Sequence, residues 1–494
     1  MTGTRVGVLS KFIAWVKDDP LSILWLSGMA GTGKTSIAVT LCRMLRADPA
    51  VCLGGGFFCS RSAGSIARTD VRRIIPTLAI LLASRSPEFA ESLVAALERD
   101  DSLGHKPVVD QIGPLLRLPL EALGSSSRPV VFVIDALDEC RNERELAELL
   151  RLLADLECNA KVKFILTSRP EMRIRDTPIS NPAHSTVLQL HTVTVDEVTS
   201  DIRLYVGGTL NDAAPEGTWY TDHDIDALVQ LCGGLFIFAS TVLLYVLDPD
   251  DDDERHDRLH RATSAIVTST AATAAVDKIY EIVLTEASRS DVVDSDELEK
   301  MKRILACILI ARAPLSVEAL AELIETKPGR LRASLRRLHS LVYLPSDDKQ
   351  LGLTTLHASF GDYLHDRAPQ HLKISTTLGH DVLARGCLRR LGWNDLHFNI
   401  SRSRSSSEPN AGVAPDWIPV SLFYTCLHWA HHIDAASKRA AFDADIGRIF
   451  RAKFLFWLEV LSVTGKISLA SGLLRIANSA ASHANEPCKL LLTV

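Results

Sequence analysis

The sequence predicts an α/β domain built on a five-stranded parallel sheet and followed by helical domains. Three observations carry that reading. Strand-like and helix-like segments alternate through the first 190 residues, the pattern of a parallel sheet covered on both faces. Val130–Ile134 runs as unbroken apolar residues into Asp135, as a strand buried on both faces does. After about residue 192 the strand signal fades and helical spacing takes over.

Taken in order, Ile23–Ser27 is a short apolar strand ending in a glycine-rich loop, and Ile37, Leu41 and Leu45 mark the helix after it. Gly56–Cys59 is the second strand, with Cys52 and Cys59 flanking a glycine-rich turn into it. Val130–Asp135 is the third strand, and the next helix carries Leu146, Leu149, Leu150 and Leu153 on one stripe. Val162–Thr167 and Val187–Leu190 complete the five. Asp196–Tyr205 and Asp224–Leu247 read as helices, and the acidic run Asp250–Glu254 reads as a solvated loop. That run lacks the glycine and the spaced ligands of a calcium loop. Met301–Ala311 is an apolar helix. Ser316 caps a second, and Leu331, Leu335 and Leu338 mark a third. Two short strands, Leu341–Leu344 and Leu351–Leu356, then flank the turn SDDKQ, which makes this stretch a winged helix. Ser401–Ser407 is a low-complexity linker, and from Val420 the chain is helical again with a break at Gly465.

A chain of 494 residues exceeds one hydrophobic core, so several domains are expected. Apolar residues make up 47% and charged residues 23%, a globular composition. The net charge of −6 gives no general attraction to nucleic acid. Ten cysteines without a CxxC pair point to a reducing cytosol, with neither a disulfide frame nor a zinc ribbon. The first residues lack the apolar core of a signal peptide. The uncharged stretch Leu231–Leu247 holds two glycines and sits at the short limit for a bilayer, so it reads as a buried helix. A cytoplasmic protein without membrane attachment is the expectation.

The chemistry begins at Gly28, Met29, Ala30, Gly31, Thr32, Gly33, Lys34 and Thr35, which fit G-x-x-x-x-G-K-[ST] between a predicted strand and a predicted helix. Glycines let the backbone wrap phosphate oxygens with its N–H groups pointing inward, and the helix N-terminus, with Ser36 next in line, adds positive potential. Lys34 supplies a charge for the β- and γ-phosphates of ATP, and the Thr35 hydroxyl is a ligand for Mg²⁺. Asp135, at the C-terminal end of its strand, completes the Mg²⁺ shell. Asp138 and Glu139 follow. One of them, Glu139 by preference, can orient or deprotonate an attacking water, or both can simply cap the next helix. Arg169, after the fourth strand, can reach a γ-phosphate or make a surface ion pair. His428, His431 and His432 lie on one helical face. That spacing can bind zinc, but with Trp429 among them packing is the stronger reading.

The motifs WLSGMAGTGKT (Trp25–Thr35), VIDALDEC (Val133–Cys140) and LTSRPE (Leu166–Glu171) resemble those of fungal NACHT-domain proteins, which are STAND-class P-loop signalling NTPases. The resemblance is to the form with a nephrocystin-like N-terminal P-loop domain. GTR at Gly3–Arg5, FFCSR at Phe57–Arg61, GGLFIFAST at Gly233–Thr241 and LHASFGDYLHD at Leu356–Asp366 extend it. The resemblance implies a P-loop NTPase domain at 21–192 after a lead-in at 1–20. It then implies a helical domain at 193–295, a winged helix at 296–370 and a helical region at 371–494 with a linker at 401–412. It also implies that His357 contacts the bound ADP in a closed state. Relatives carry a proline that touches adenine where this chain reads Gly234, Leu235, Phe236, a departure from the pattern.

The function so implied is a molecular switch in signal transduction of the innate-immunity, NLR-like kind. ADP holds it closed, ATP opens it and permits self-association, and slow Mg²⁺-dependent ATP hydrolysis resets it. Its partners are nucleotide, further copies of itself, and effector or sensor domains of other chains, with no nucleic acid and no membrane. The rival readings are a nucleotide-binding scaffold without hydrolysis and a P-loop kinase; the sequence offers no acceptor pocket or arginine-rich lid for the kinase.

Overall fold

The computed structural model describes residues 3–480 apart from 62–65, 125–127, 159, 215–218, 265–271, 289–294, 346–351 and 403–416. The turn SDDKQ and nearly all of the 401–412 linker lie outside these residues. The chain divides into two compact units. One holds the described residues up to Ile279 and the other those from Tyr280 onward.

The first unit is built on five parallel strands: β1 (Ile23–Ser27), β2 (Cys52–Phe58), β3 (Val130–Asp135), β4 (Val162–Ser168) and β5 (Ser185–Gln189). Their order is β2–β3–β4–β1–β5. β1, β3 and β4 are buried at every position, which is why β1 and β3 read as continuous apolar runs and β4 does so after Lys163. Helices cover both faces. Val8, Phe12, Ile37 and Leu41 form one core with Leu24 and Ile165, while Ile74, Leu78, Leu146 and Leu150 form the other with Phe132 and Phe164. The rings of Phe132 and Phe164 stack at 5.4 Å across neighbouring strands.

Three sequence expectations are corrected in this unit. The glycines before Phe57 lie inside β2 rather than in a turn, since the strand begins at Cys52. A Cβ on Gly54 would stand 2.5 Å from the Phe132 ring, so glycine lets that ring pack on the strand. The helix expected over Asp224–Leu247 is two helices, Asp222–Cys232 and Phe236–Val246. The break falls at Gly233 and Gly234, both at positive φ, the usual left-handed helix stop. The acidic run is no loop, because the helix Asp252–Ser264 begins within it. Asp251 accepts from the Glu254 N–H at 3.0 Å, and carboxylates in a first turn suit the helix dipole.

The second unit is helical apart from two short antiparallel strands. The helices Ser295–Ile310, Val317–Leu323 and Pro328–Arg336 precede Val342–Tyr343, which pairs with Thr354–Thr355. Ser316 accepts from the Ala319 N–H at 3.1 Å, as a helix cap. The helices Thr376–Gly392, Val420–Asp434, Asp443–Val463 and Ala470–Ala480 follow. Among the described residues no helix is long and apolar enough to cross a membrane.

Candidate functional site

The loop between β1 and the helix Lys34–Ala47 is shaped by two glycines at positive φ, Gly31 at 76° and Gly33 at 90°. Only glycine adopts these conformations without strain. At Gly31 there is a second reason: an added Cβ would stand 2.1 Å from the Ile237 side chain. The Ile237 N–H donates to the Gly31 carbonyl at 3.2 Å, so the helix Phe236–Val246 starts directly on the loop. Arg5 holds the other side. It is buried, donates from Nη2 to the Thr32 carbonyl at 3.2 Å and lies 5.0 Å over the Phe236 ring. Phe236 thus closes on Arg5 and on the loop.

Lys34 lies folded along the loop, its Nζ donating to the carbonyls of Gly28 at 2.7 Å and Met29 at 2.9 Å. Burial lowers its pKa, while Asp138 and Asp135 act to raise it. The loop is closed further by the Thr32 hydroxyl, which donates to the Met29 carbonyl at 2.8 Å. The Gly28 N–H donates to the Ser168 carbonyl of β4 at 3.2 Å. Ala30 and Ser36 lie in the same stretch, Ser36 inside the first helical turn.

Thr35 and Asp135, 100 residues apart, meet at 2.7 Å, Oγ1 donating to Oδ2. Thr167 donates to the other carboxylate oxygen at 2.6 Å and accepts from the Ala136 N–H at 2.9 Å. The two hydroxyls hold the carboxylate flat at the end of β3, where burial raises its pKa against them. The donor set is a hydroxyl oxygen and a carboxylate oxygen beside a phosphate loop, which fits a hard cation such as Mg²⁺.

Beyond Asp135 the chain turns through Ala136, a non-glycine residue at φ 57°. This turn presents Asp138 and Glu139 in a short 3₁₀ segment. Arg169 pairs with Asp138, whose carboxylate is buried rather than at the surface. Its N–H donates to Asp138 Oδ1 at 2.9 Å and its Nε lies 3.2 Å from Oδ2. Asp138 is therefore engaged by an arginine from the end of β4. The Glu139 carboxylate accepts from the Arg61 N–H at 2.6 Å; burial raises its pKa, and that hydrogen bond works against the rise.

Sequence reasoning missed four contributors. Thr167 sits beside Asp135, and Arg5, Arg61 and Arg173 converge on the loop and the acidic turn from distant parts of the chain. Arg5 and Arg61 close the GTR and FFCSR segments, a signal that was visible without a role attached.

His357 belongs to the second unit, where it caps the helix Ala358–Asp362. Its Nδ1 accepts from the Ser359 N–H at 3.1 Å, which puts the proton of the neutral ring on Nε2. The Ser359 hydroxyl in turn meets Nδ1 at 2.7 Å and the Tyr280 hydroxyl at 2.9 Å. In the C-terminal helices His428 and His432 are buried, and among the described residues no group of three or more His, Cys, Asp or Glu side chains is placed to hold a metal ion.

A glycine loop at the end of a central parallel strand, a lysine and threonine opening the next helix, and an aspartate on a nearby strand meeting that threonine define a P-loop nucleotide-binding domain. Residues 2–169 match the family described as nephrocystin 3, N-terminal, in keeping with a P-loop NTPase domain. The chain is 23% identical over 512 residues to the vegetative incompatibility protein HET-E-1 of Podospora anserina, covering 96% of this chain. It spans 36% of that relative's length. Among solved structures, a STAND protein with a tetratricopeptide repeat sensor from Pyrococcus horikoshii is 14% identical, with a TM-score of 0.42 over 96% of this chain and 58% of that one. The Cdc6p structure from Pyrobaculum aerophilum is 13% identical, with a TM-score of 0.32 over 78% of this chain and 94% of that one.

Proposed function

We propose that this chain is an ATP/ADP-operated signalling switch that hydrolyses ATP slowly with Mg²⁺. The observation that carries the reading is the acidic turn, which stands beside the phosphate loop with Asp138 engaged by Arg169 and Glu139 engaged by Arg61. Each of these acids is occupied by a neighbour, which suits slow turnover. Lys34 would exchange its two loop carbonyls for phosphate oxygens. Thr35 and Asp135 would hold Mg²⁺, which neutralises charge on the β- and γ-phosphate oxygens when bound. Glu139 would orient and deprotonate the attacking water once it leaves Arg61.

In this reading the chain is laid out as a P-loop domain at 21–192, a helical domain at 193–295, a winged helix at 296–370 and a helical region beyond. His357 is the link between nucleotide and winged helix: the Nε2–H tautomer fixed by Ser359 is the one that donates to a β-phosphate oxygen of ADP. Nucleotide contacts that differ between closed and open states drive the switch, self-association follows opening, and effector or sensor domains of other chains receive the output. The engaged acids also favour the rival reading of a scaffold that binds nucleotide without hydrolysis. Phosphate release by the purified chain decides between them. Hydrolysis requires release that disappears in Lys34→Ala with loss of ATP binding, and in Glu139→Gln with binding retained. Binding without release supports the scaffold, and unchanged ATP affinity in folded Lys34→Ala refutes both.

A further inference from the structure

The three carbonyls of the acidic turn are all held by arginine guanidinium groups from other elements. Arg61, just past β2, donates from Nη2 to the Asp138 carbonyl at 2.6 Å and from Nε to the Glu139 carbonyl at 3.3 Å. Arg173, in the short helix after β4, donates from Nη1 to the Cys140 carbonyl at 3.2 Å and from Nη2 to the Asp138 carbonyl. Two planar forks thus grip one tripeptide, reaching it from just past the C-terminal ends of the two strands that flank β3. The two arginines differ in one respect: Arg173 is itself tied to Glu171 and Glu143, whereas Arg61 also offers its own backbone N–H to the Glu139 carboxylate.

This geometry has a chemical consequence. A general base must present a lone pair to the water it deprotonates. The carboxylate oxygen of Glu139 that accepts from Arg61 has that lone pair committed to a charge-assisted hydrogen bond, which also lowers its basicity. The guanidinium contacts fix the distance between the two residues, so the carboxylate stays docked for as long as the Arg61 fork holds the turn.

We propose that Arg61 is a positioning residue that withholds Glu139 from the attacking water, and that release of this clamp sets the rate of hydrolysis. The inference rests on the hydrolytic reading above and adds its regulation. The backbone N–H survives substitution but its side-chain anchor does not, so Arg61→Ala loosens the Glu139 end of the turn, which Arg173 still holds at Asp138 and Cys140.

The test is steady-state phosphate release with amide hydrogen exchange on the full chain. Arg61→Ala should raise kcat on the order of tenfold, the scale of one lost hydrogen bond to a charged group, with KM within about twofold. Arg61→Lys, which keeps a charge but not the fork, should fall between. The gain should vanish in Arg61→Ala combined with Glu139→Gln, and amides of residues 137–140 should exchange faster in Arg61→Ala. A residue that merely supports the fold would lower the melting temperature and leave kcat unchanged or reduced. Either kcat result overturns the proposal when the parent shows Glu139-dependent release, and the hydrolytic reading then stands. No release from any variant removes that reading and this one with it. Unchanged exchange in residues 137–140 refutes the clamp whatever the turnover.

Discussion

Lowering the pH from about 7.5 to about 5 should loosen the second unit through its buried histidines. His428 and His432 sit one turn apart on the helix Val420–Asp434, packed around Tyr424. The Tyr424 hydroxyl accepts from the Arg312 N–H at 3.2 Å and meets His432 Nε2 at 2.8 Å, while His432 Nδ1 lies 3.1 Å from His380 Nδ1. Among the described residues His428 Nδ1 has no hydrogen-bond partner. The surroundings offer little to stabilise an added charge: Arg312 and His431 are cationic or can become so, and Asp381 and Asp434 act at a distance on His380. Burial, then Arg312, pushes His428 from 6.5 down to about 3, and burial holds His432 well below its ordinary value. Both rings are neutral in the folded chain, and the unfolded chain takes up a proton below about pH 6.5. Stability is therefore complete above that pH and falls steadily as pH drops from there toward about 3. At about pH 5 His428 alone accounts for about 2 kcal/mol of lost stability, and His432 acts in the same direction. With a slope of about 2 kcal/mol per M urea, that is a midpoint shift of about 1 M. Urea unfolding at the two pH values, with amide exchange read over Val420–Asp434, measures it. His428→Phe keeps a ring against Tyr424 and removes the proton site, so its midpoint should fall by about 1 M less than the parent's. Equal falls in the two proteins, or no fall in the parent, would refute the reasoning.

Asp135→Asn should weaken Mg²⁺-dependent ATP binding by about tenfold or more, because the amide loses the charge that balances the metal and turns a donor toward Thr35 or Thr167. Superimposable Mg²⁺ titrations of variant and parent would take Asp135 out of the metal shell. His357→Leu should weaken ADP binding about tenfold while leaving ATP nearly unchanged, and should raise the oligomeric fraction in light scattering. Equal effects on both nucleotides would assign His357 to its helix cap and nothing more.

The phosphate loop was legible because its determinants are local. An apolar strand, glycines that permit positive φ, and a lysine and threonine opening a helix lie within a dozen residues, and each acts on its neighbours. Asp135 was legible for a related reason: a strand buried on both faces admits almost no polar residue, so the first one marks its end. The break at Gly233 and Gly234 was present in the sequence but was outweighed by the apolar run around it. The fold uses that break to start a new helix on the Gly31 carbonyl. His428 and His432 are buried in the helix Val420–Asp434, and His432 finds its partner His380 on another helix, 52 residues away in the chain.

By itself, then, the sequence determined the phosphate loop, the aspartate that ends β3 and the order of strands and helices, since each is written in spacing and backbone preference over a few residues. Tertiary structure alone decided what occupies the acidic turn. Asp138 and Glu139 are adjacent, and no local rule says which neighbour each will meet. Their partners come from afar, with Arg169 reaching back 31 residues to Asp138 and Arg61 reaching forward 78 residues to Glu139. Parallel strands bring their C-terminal ends together whatever their distance along the chain, and a hydrogen bond is set by distance in space, so these contacts exist only once the sheet has formed.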